Sequence, residues 1–404
     1  MIYKEKASAL LVGILVFTSV FVASHLVYSL GFRALVVMLM LVTNFLFMLI
    51  VYERKIEILV LLLVLLSLVT SLITGLYWSN WTAALFPSLF CMSLLVASIA
   101  SKKELDSVIE IGSVILLIML LGAWVAFYIG IMGVPSLGTF YAAGGRGIEF
   151  YYTSLGIPYP GNFLRVTGIY DEPGAFSFII CMFAFFRHIS NMDKKFTWIL
   201  LLLGFVSFSL AHLIYVVIHL AAERNIFKTF RRLIIIGSVF LLAITIGDVW
   251  QFFEQHLFHR LEVSSDPTKV FVGDNRTKYL LSSIAFIKDQ FDFRTFIFGA
   301  DVSCIVSTGN CGQFAPYVGF NPFSPMILYG ILISWPYYLF LLFALGFGVI
   351  RKEFWPLFAV ALLFFQRPSM FSAGYSTLAA MAIIVVVRSS SFKELCLMLI
   401  GKRQ

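Results

Sequence analysis

The residues best able to hold a charged ligand are arginines and carboxylates that stand beside expected helix starts. Arg165 opens the segment Arg165-Val-Thr-Gly-Ile-Tyr-Asp-Glu172-Pro-Gly174. Pro173 suits the first position of a helix, where a missing N–H is no loss, so Glu172 is expected at the helix entry. The free N–H groups and positive dipole end at such an entry attract anions. Two readings follow: Glu172 complements the dipole and pairs with Arg165, or Arg165 and the helix start together hold a phosphate. Arg276 is expected in the first turn of another helix, where a cation opposes the dipole. An anionic ligand would relieve that conflict, while an exposed pair with Asp274 is the plainer account. His212, His256 and His259 titrate in the range useful for acid–base work. Interfacial placement explains His256 and His259; His212 is harder to explain that way, because polar groups at membrane depth tend to be functional. Arg367, in Phe365-Gln-Arg-Pro368, either snorkels to the interface or adds a third cation.

The sequence has no Walker loop, dinucleotide fingerprint, HExxH or paired CxxC motif, so no cofactor or metal is expected. Of its five cysteines, Cys91, Cys181 and Cys396 sit in or beside apolar runs. Cys304 and Cys311 share a polar loop, and a disulfide between them is permitted if that loop lies in an oxidising compartment.

The elements that must position these groups are transmembrane helices. Hydrophobic residues make up 60% of the 404 and charged residues 12%, against about 25% charged in a soluble domain. Runs such as Ile58–Leu76 and Val114–Ile131 are long and nearly uncharged. They lack the two-residue alternation of barrel strands, which leaves helices as the spanning structure. The expected fold class is an all-α polytopic membrane protein with about twelve spans. They fall near 7–24, 34–51, 58–77, 82–100, 111–130, 174–187, 196–208, 211–222, 233–250, 325–349, 354–366 and 373–388. The first is read as an uncleaved helix.

Charge assigns the sides. With both termini inside, the inner side holds 19 of the 29 cations and ten of the 21 acids, net +9, and the outer side is −1. This is the bias of the positive-inside rule. The formal charge of +8 is thus a set of helix-end clusters and no signal for nucleic acid. The split between 196–208 and 211–222 decides every later crossing: one long helix would place Glu223–Arg232 outside and reverse the bias. Length favours one helix; charge favours two short ones meeting at Ser209–His212.

The chain thus divides into helices over 1–132, a long outer loop over 133–173, helices over 174–250, a second outer loop over 251–324, and helices with a tail over 325–404. The first loop is rich in Gly, Pro and Tyr. The second contains a run beginning Asp274-Asn-Arg276, in which Leu280, Ile284, Ile287 and Phe291 share one helical face and Asp274 is the expected N-cap.

These residues resemble a family. Arg165-x-x-Gly168-x-x-x-Glu172-Pro173 is similar to the signature that opens a middle span in bacterial O-antigen polymerases and the related O-antigen ligases. Asn275-Arg276 … Phe298-Gly299 resembles the family's loop helix, and Gly319-Phe-Asn321-Pro-Phe … Tyr329-Gly330 its entry to the next span. The resemblance covers about 165–330 by motif. Ligases typically carry His where this chain has Phe320, and a Ser-Arg-Gly-like element where it has Ser209-Leu-Ala-His212, so the polymerase is the nearer match. The resemblance implies an inverting, metal-independent glycosyltransferase of the bacterial inner membrane, moving a growing glycan from undecaprenyl diphosphate to the incoming lipid-linked repeat unit on the periplasmic face. It implies Arg165, Arg276 and Arg367 on the diphosphate, Asn321 in the substrate site, Glu172 orienting an arginine or the acceptor, and His212 or a loop histidine as base. A chain-length regulator is the protein partner it implies. Ligation to a lipid A core and transport of a lipid-linked oligosaccharide are the alternative functions.

Overall fold

The computed structural model describes residues 2–22, 58–78, 84–141, 147–159, 163–223, 231, 234–235, 237–238, 275–300, 321–351, 354–366, 373–389 and 392. These are mostly helical, in the order α1 (Ile2–Val16, continued by a π turn, Phe17–Phe21), α2 (Ile58–Trp78), α3 (Phe86–Ile99), α4 (Lys102–Ile131), strands β1 (Gly138–Tyr141), β2 (Gly147–Tyr151), β3 (Ser154–Tyr159) and β4 (Phe163–Gly168), then α5 (Pro173–Ile189), α6 (Lys194–Leu203), α7 (Leu210–Ala222), α8 (Asn275–Gln290), α9 (Phe293–Phe298), α10 (Ser324–Ile350), α11 (Trp355–Gln366) and α12 (Ala373–Arg388). The expected span at 34–51 lies outside the described residues, as does 233–250 apart from helical positions 234–235 and 237–238.

Among the described residues, three helices are long and apolar enough to cross a membrane: Ile58–Tyr77, Lys102–Ile131 and Ser324–Ile350. Their surfaces agree with their composition. Along α2, Ile58, Leu59, Leu62, Leu65, Leu66, Val69, Leu72 and Leu76 are exposed, a face that water would not tolerate and lipid would. At the other extreme, Phe176, Phe178, Phe183, Phe185 and Phe186 of α5 are fully buried. A helix apolar on all sides belongs inside the bundle, and α5 is the axis on which α4, α6, α7, α11 and α12 pack.

The relative directions follow from a few contacts. Ser71 and Ser88 hydrogen-bond at 2.8 Å across the antiparallel pair α2 and α3. Ser93 meets Thr377 at 3.1 Å, and Arg388 donates to the carbonyls of Ser98 and Ala100, so α12 runs parallel to α3 and caps its last turn. Phe86 packs edge-on against Tyr329 at 6.1 Å, which puts the start of α10 beside the start of α3. One end of the bundle therefore carries Lys102, Lys103, Arg187, Lys194, Lys195, Arg351 and Arg388. The other carries the sheet, the start of α5, and α8 and α9.

The chain reverses between α6 and α7. In one straight helix Leu201 and His212 would be about 16 Å apart along the axis. Instead His212 Nε2 bonds the Leu201 carbonyl at 2.8 Å, and Trp198 Nε1 donates to Glu223 Oε1 at 3.2 Å. A 3₁₀ turn over Gly204–Ser207 and a left-handed Phe208 (φ 44°, ψ 44°) make the bend. A Cβ on Gly204 would stand 2.5 Å from His212 Cε1, so the glycine gives the imidazole its place. Glu223 thus returns to the end from which Lys194 departed.

Two expectations need correction. The class is helical with a small sheet in place of all-α: 138–168 holds a four-stranded antiparallel meander in the order β1-β2-β3-β4. Second, α4 starts at Lys102, nine residues before the expected span. Ser101 Oγ accepts from Glu104 N at 3.3 Å and Ser101 N donates to Glu104 Oε2 at 2.6 Å, a reciprocal cap that begins the helix early. Its 30 residues span about 45 Å, more than the roughly 30 Å hydrocarbon core. The last turns of α4 carry the sheet: Thr153 Oγ1 bonds the Gly122 carbonyl at 2.7 Å, and Leu164 fills the notch at Gly130.

Candidate functional site

The segment from Arg165 to Pro173 is shaped by Gly168. Its φ of +65° favours glycine, and a Cβ there would press on the Phe176 ring at 3.0 Å. The turn lets Tyr170 enter the core, where its hydroxyl donates to the Val20 carbonyl at 2.9 Å and its ring stacks on Phe176 at 5.9 Å. Tyr170 N bonds the Thr167 carbonyl at 3.0 Å, completing the reversal. Glu172 is then the N-cap of α5 in extended conformation, Pro173 is the first helical residue, and the Glu172 carbonyl accepts from Ala175 N and Phe176 N at 3.0 and 3.2 Å. The Glu172 carboxylate makes no capping hydrogen bond. The spacing Arg-x-x-Gly-x-x-x-Glu-Pro thus encodes a strand end, a left-handed turn and a helix start.

Arg165 sits on β4 opposite Ile157. Its Nη2 donates to the Phe208 carbonyl at 3.2 Å, across 43 residues of chain. That carbonyl belongs to the left-handed residue at the α6–α7 bend, so the guanidinium ties the sheet to the hairpin tip. Phe127 packs on Phe208 at 5.5 Å and Trp124 Nε1 caps the Leu203 carbonyl at 3.0 Å. The last turns of α4, the sheet, the entry to α5 and the hairpin tip therefore meet around Arg165.

His212 is set one turn inside the tip and is fully buried. Nε2 meets Leu201 O, Nδ1 lies 3.5 Å from Cys181 Sγ, and Phe205 packs on the ring edge-on at 5.2 Å. Both ring nitrogens face interior partners, so the side chain fastens α7 to α6 and α5.

Asn321 is nearly fully buried and acts as a joint. Its Nδ2 donates to Ser283 Oγ at 2.8 Å and to the Tyr279 carbonyl at 3.3 Å, and its Oδ1 accepts from Phe323 N at 3.0 Å. Ser324 Oγ donates back to the Asn321 carbonyl at 2.8 Å. The residue thus clamps α8 to the start of α10. Arg276 occupies the first turn of α8, two turns before Ser283. The expected face of Leu280, Ile284 and Ile287 is displaced: the buried centre of α8 is the polar Ser283, and Ile284 is exposed.

Gly299 and Gly330 meet backbone to backbone. Their φ values are +83° and +66°, and a Cβ on Gly299 would lie 2.6 Å from Gly330 N and from Leu328 O. Ala300 N bonds the Ile327 carbonyl at 2.7 Å, so the end of α9 is stitched into a break in α10 at Gly330. On its far side α9 is held by residues the motifs do not mark. Phe298 stacks on Tyr77 at 3.9 Å, and Arg294 Nε donates to the Tyr77 hydroxyl. On the sheet, Tyr151 donates to Glu149 Oε2 at 2.6 Å, and burial followed by that bond raises the phenol above its ordinary range. No local signal announces these pairs.

Arg165, Glu172 and Asn321, with the helix bearing Arg276, lie at the same end of the bundle; His212 lies beneath it. Arg367, Cys304, Cys311, His256, His259, Asp274 and Phe320 fall outside the described residues. Chemically this end offers the Arg165 guanidinium and the N-terminus of α5 beside apolar helices, groups that can meet an anion. No family model, no curated protein and no solved structure matches the chain.

Proposed function

We propose that this chain is a surface-polysaccharide polymerase of the bacterial inner membrane, with twelve crossings, both termini cytoplasmic and the site on the periplasmic side. It extends a glycan held on undecaprenyl diphosphate by transferring it to the next lipid-linked repeat unit. What supports the reading is that three stretches far apart in sequence, each resembling a family motif, gather at one end: Arg165 to Pro173, Phe298-Gly299, and Asn321 with Tyr329-Gly330. Two of the glycines so marked are in backbone contact.

In the proposed reaction a hydroxyl of the incoming repeat attacks the anomeric carbon of the growing glycan. The bond from that carbon to the diphosphate oxygen breaks with inversion, and the lipid diphosphate leaves with the electron pair. The hydroxyl proton passes to a base or to water. The departing charge needs cations more than it needs an acid, and Arg165, Arg276 and Arg367 are assigned to it. Glu172, at the α5 N-cap, orients an arginine or the acceptor hydroxyl. His212 Nε2 is engaged by the Leu201 carbonyl of α6 and Nδ1 faces Cys181 of α5, so it is left out of the proton path.

The test is complementation of a deletion strain. Arg165→Ala and Arg276→Ala should insert normally and leave single-repeat products in place of long chains. Bare lipid A core with glycan retained on its carrier would indicate ligation instead. Normal chain lengths in both variants would sink the assignment.

A further inference from the structure

Among the described residues, the arm formed by α8 and α9 leaves an apolar face uncovered. Opposite the Ser283 side of α8 lie Leu281, Ile284 and Lys288, all exposed and spaced to share one face. On α9, Phe293 is 80% exposed, with Phe296 at 36%. A water-facing helix side would be charged; this one is led by Leu, Ile and Phe. The second helix of the arm also reaches a surface already assigned to lipid. The exposed strip of α2 passes through Leu72 and Leu76 to Tyr77, and Phe298 stacks on that tyrosine. Arg294 sits at the same level, 5.5 Å from the Tyr77 ring centroid.

We infer that α8 and α9 lie along the outer surface of the bilayer as an in-plane anchor. Leu281, Ile284 and Phe293 enter the acyl boundary, while Lys288 and Arg294 reach the lipid phosphates. An apolar helix side flanked by cations binds an interface in this way, long cationic side chains keep their heads at phosphate level, and tyrosine marks that depth. The ties through Asn321, Gly299 and Gly330 then fix the arm's height on the bundle. This inference rests on the bundle spanning a bilayer and not on the glycan chemistry.

Spin labels on the full chain test it, in vesicles of phosphatidylethanolamine and phosphatidylglycerol and with the native cysteines replaced. Labels at Phe293→Cys and Leu281→Cys should collide with oxygen more than with a water-soluble nickel chelate. Leu342→Cys, on the exposed face of α10, should read the same way and reports insertion independently. Asp289→Cys should show the reverse preference. Chelate-dominated readings at 293 and 281, with 342 reading lipid, overturn the proposal. So does protection of both arm positions from both reagents, which would mean that a protein or a second copy covers the face.

Discussion

Replacing Asn321 by alanine should release α8 while leaving the bundle intact. The side chain makes three hydrogen bonds, to Ser283 Oγ, to the Tyr279 carbonyl and from Phe323 N, in a site 3% exposed. Two of these bonds, to Ser283 Oγ and the Tyr279 carbonyl, reach α8; at about 0.5–1.5 kcal/mol net each, their loss should weaken its attachment by about 1–3 kcal/mol. Hydrogen exchange of the α8 amides should then accelerate about 5- to 140-fold, since about 1.4 kcal/mol corresponds to a factor of ten. The apolar interior around α5 does not depend on this joint, so α5 amides should keep their protection. Asn321→Asp keeps an acceptor for Phe323 N at the start of α10 and loses both bonds donated to α8, so it should loosen α8 about as much as alanine does. Unchanged exchange of α8 in Asn321→Ala would refute the clamp, and so would loosening that spreads equally to α5.

Gly330→Ala meets the Ile297 carbonyl and Gly299 N and forces φ +66° with ψ 174° on an L side chain; about 1–3 kcal/mol of backbone strain plus the clash should undock α9, read as new protease cleavage near 293–300. His212→Ala empties a buried slot and frees the Leu201 carbonyl, so it should destabilise by about 2–4 kcal/mol, measured as a lower melting temperature in detergent. Lost polymerisation with an unchanged melting temperature would return that imidazole to the reaction. Single cysteines placed at Lys194 and at the exposed Ala221 should react with an impermeant maleimide from the same side of the membrane; labelling from opposite sides would contradict the reversal between α6 and α7.

Much of the fold was legible because its signals are local. Pro173 and Glu172 mark the start of α5, Ser101 and Glu104 are a visible capping pair, and the apolar runs outline the described spans. The α6–α7 reversal was legible only through charge: length argued for one helix, and the deciding contact, His212 to Leu201, is invisible in sequence. The sheet was missed because a stretch rich in Gly, Pro and Tyr reads as a connector. Its strands, four to six residues each, are set by pairing with one another and by the last turns of α4. The alternation around Ile148-Glu149-Phe150 was the available clue. The site shows the same division. Arg165, Glu172, Asn321, Gly299 and Gly330 stood out by motif, whereas Ser283, Tyr77 and Arg294 owe their roles to partners 38 and 217 residues away. Hydrophobic periodicity misplaced the buried side of α8 because a polar clamp, and no apolar stripe, holds it.

The central claim is that the outer end of this bundle joins glycan units held on a lipid diphosphate. Its most direct test is elongation in proteoliposomes, using purified chain and lipid-linked repeat units already facing the outer site. A ladder of longer lipid-linked glycans is expected from the wild-type chain and none from Arg165→Ala, although both proteins fold. A wild-type chain that leaves the repeat units unjoined, or an Arg165→Ala variant that builds the same ladder, would contradict it.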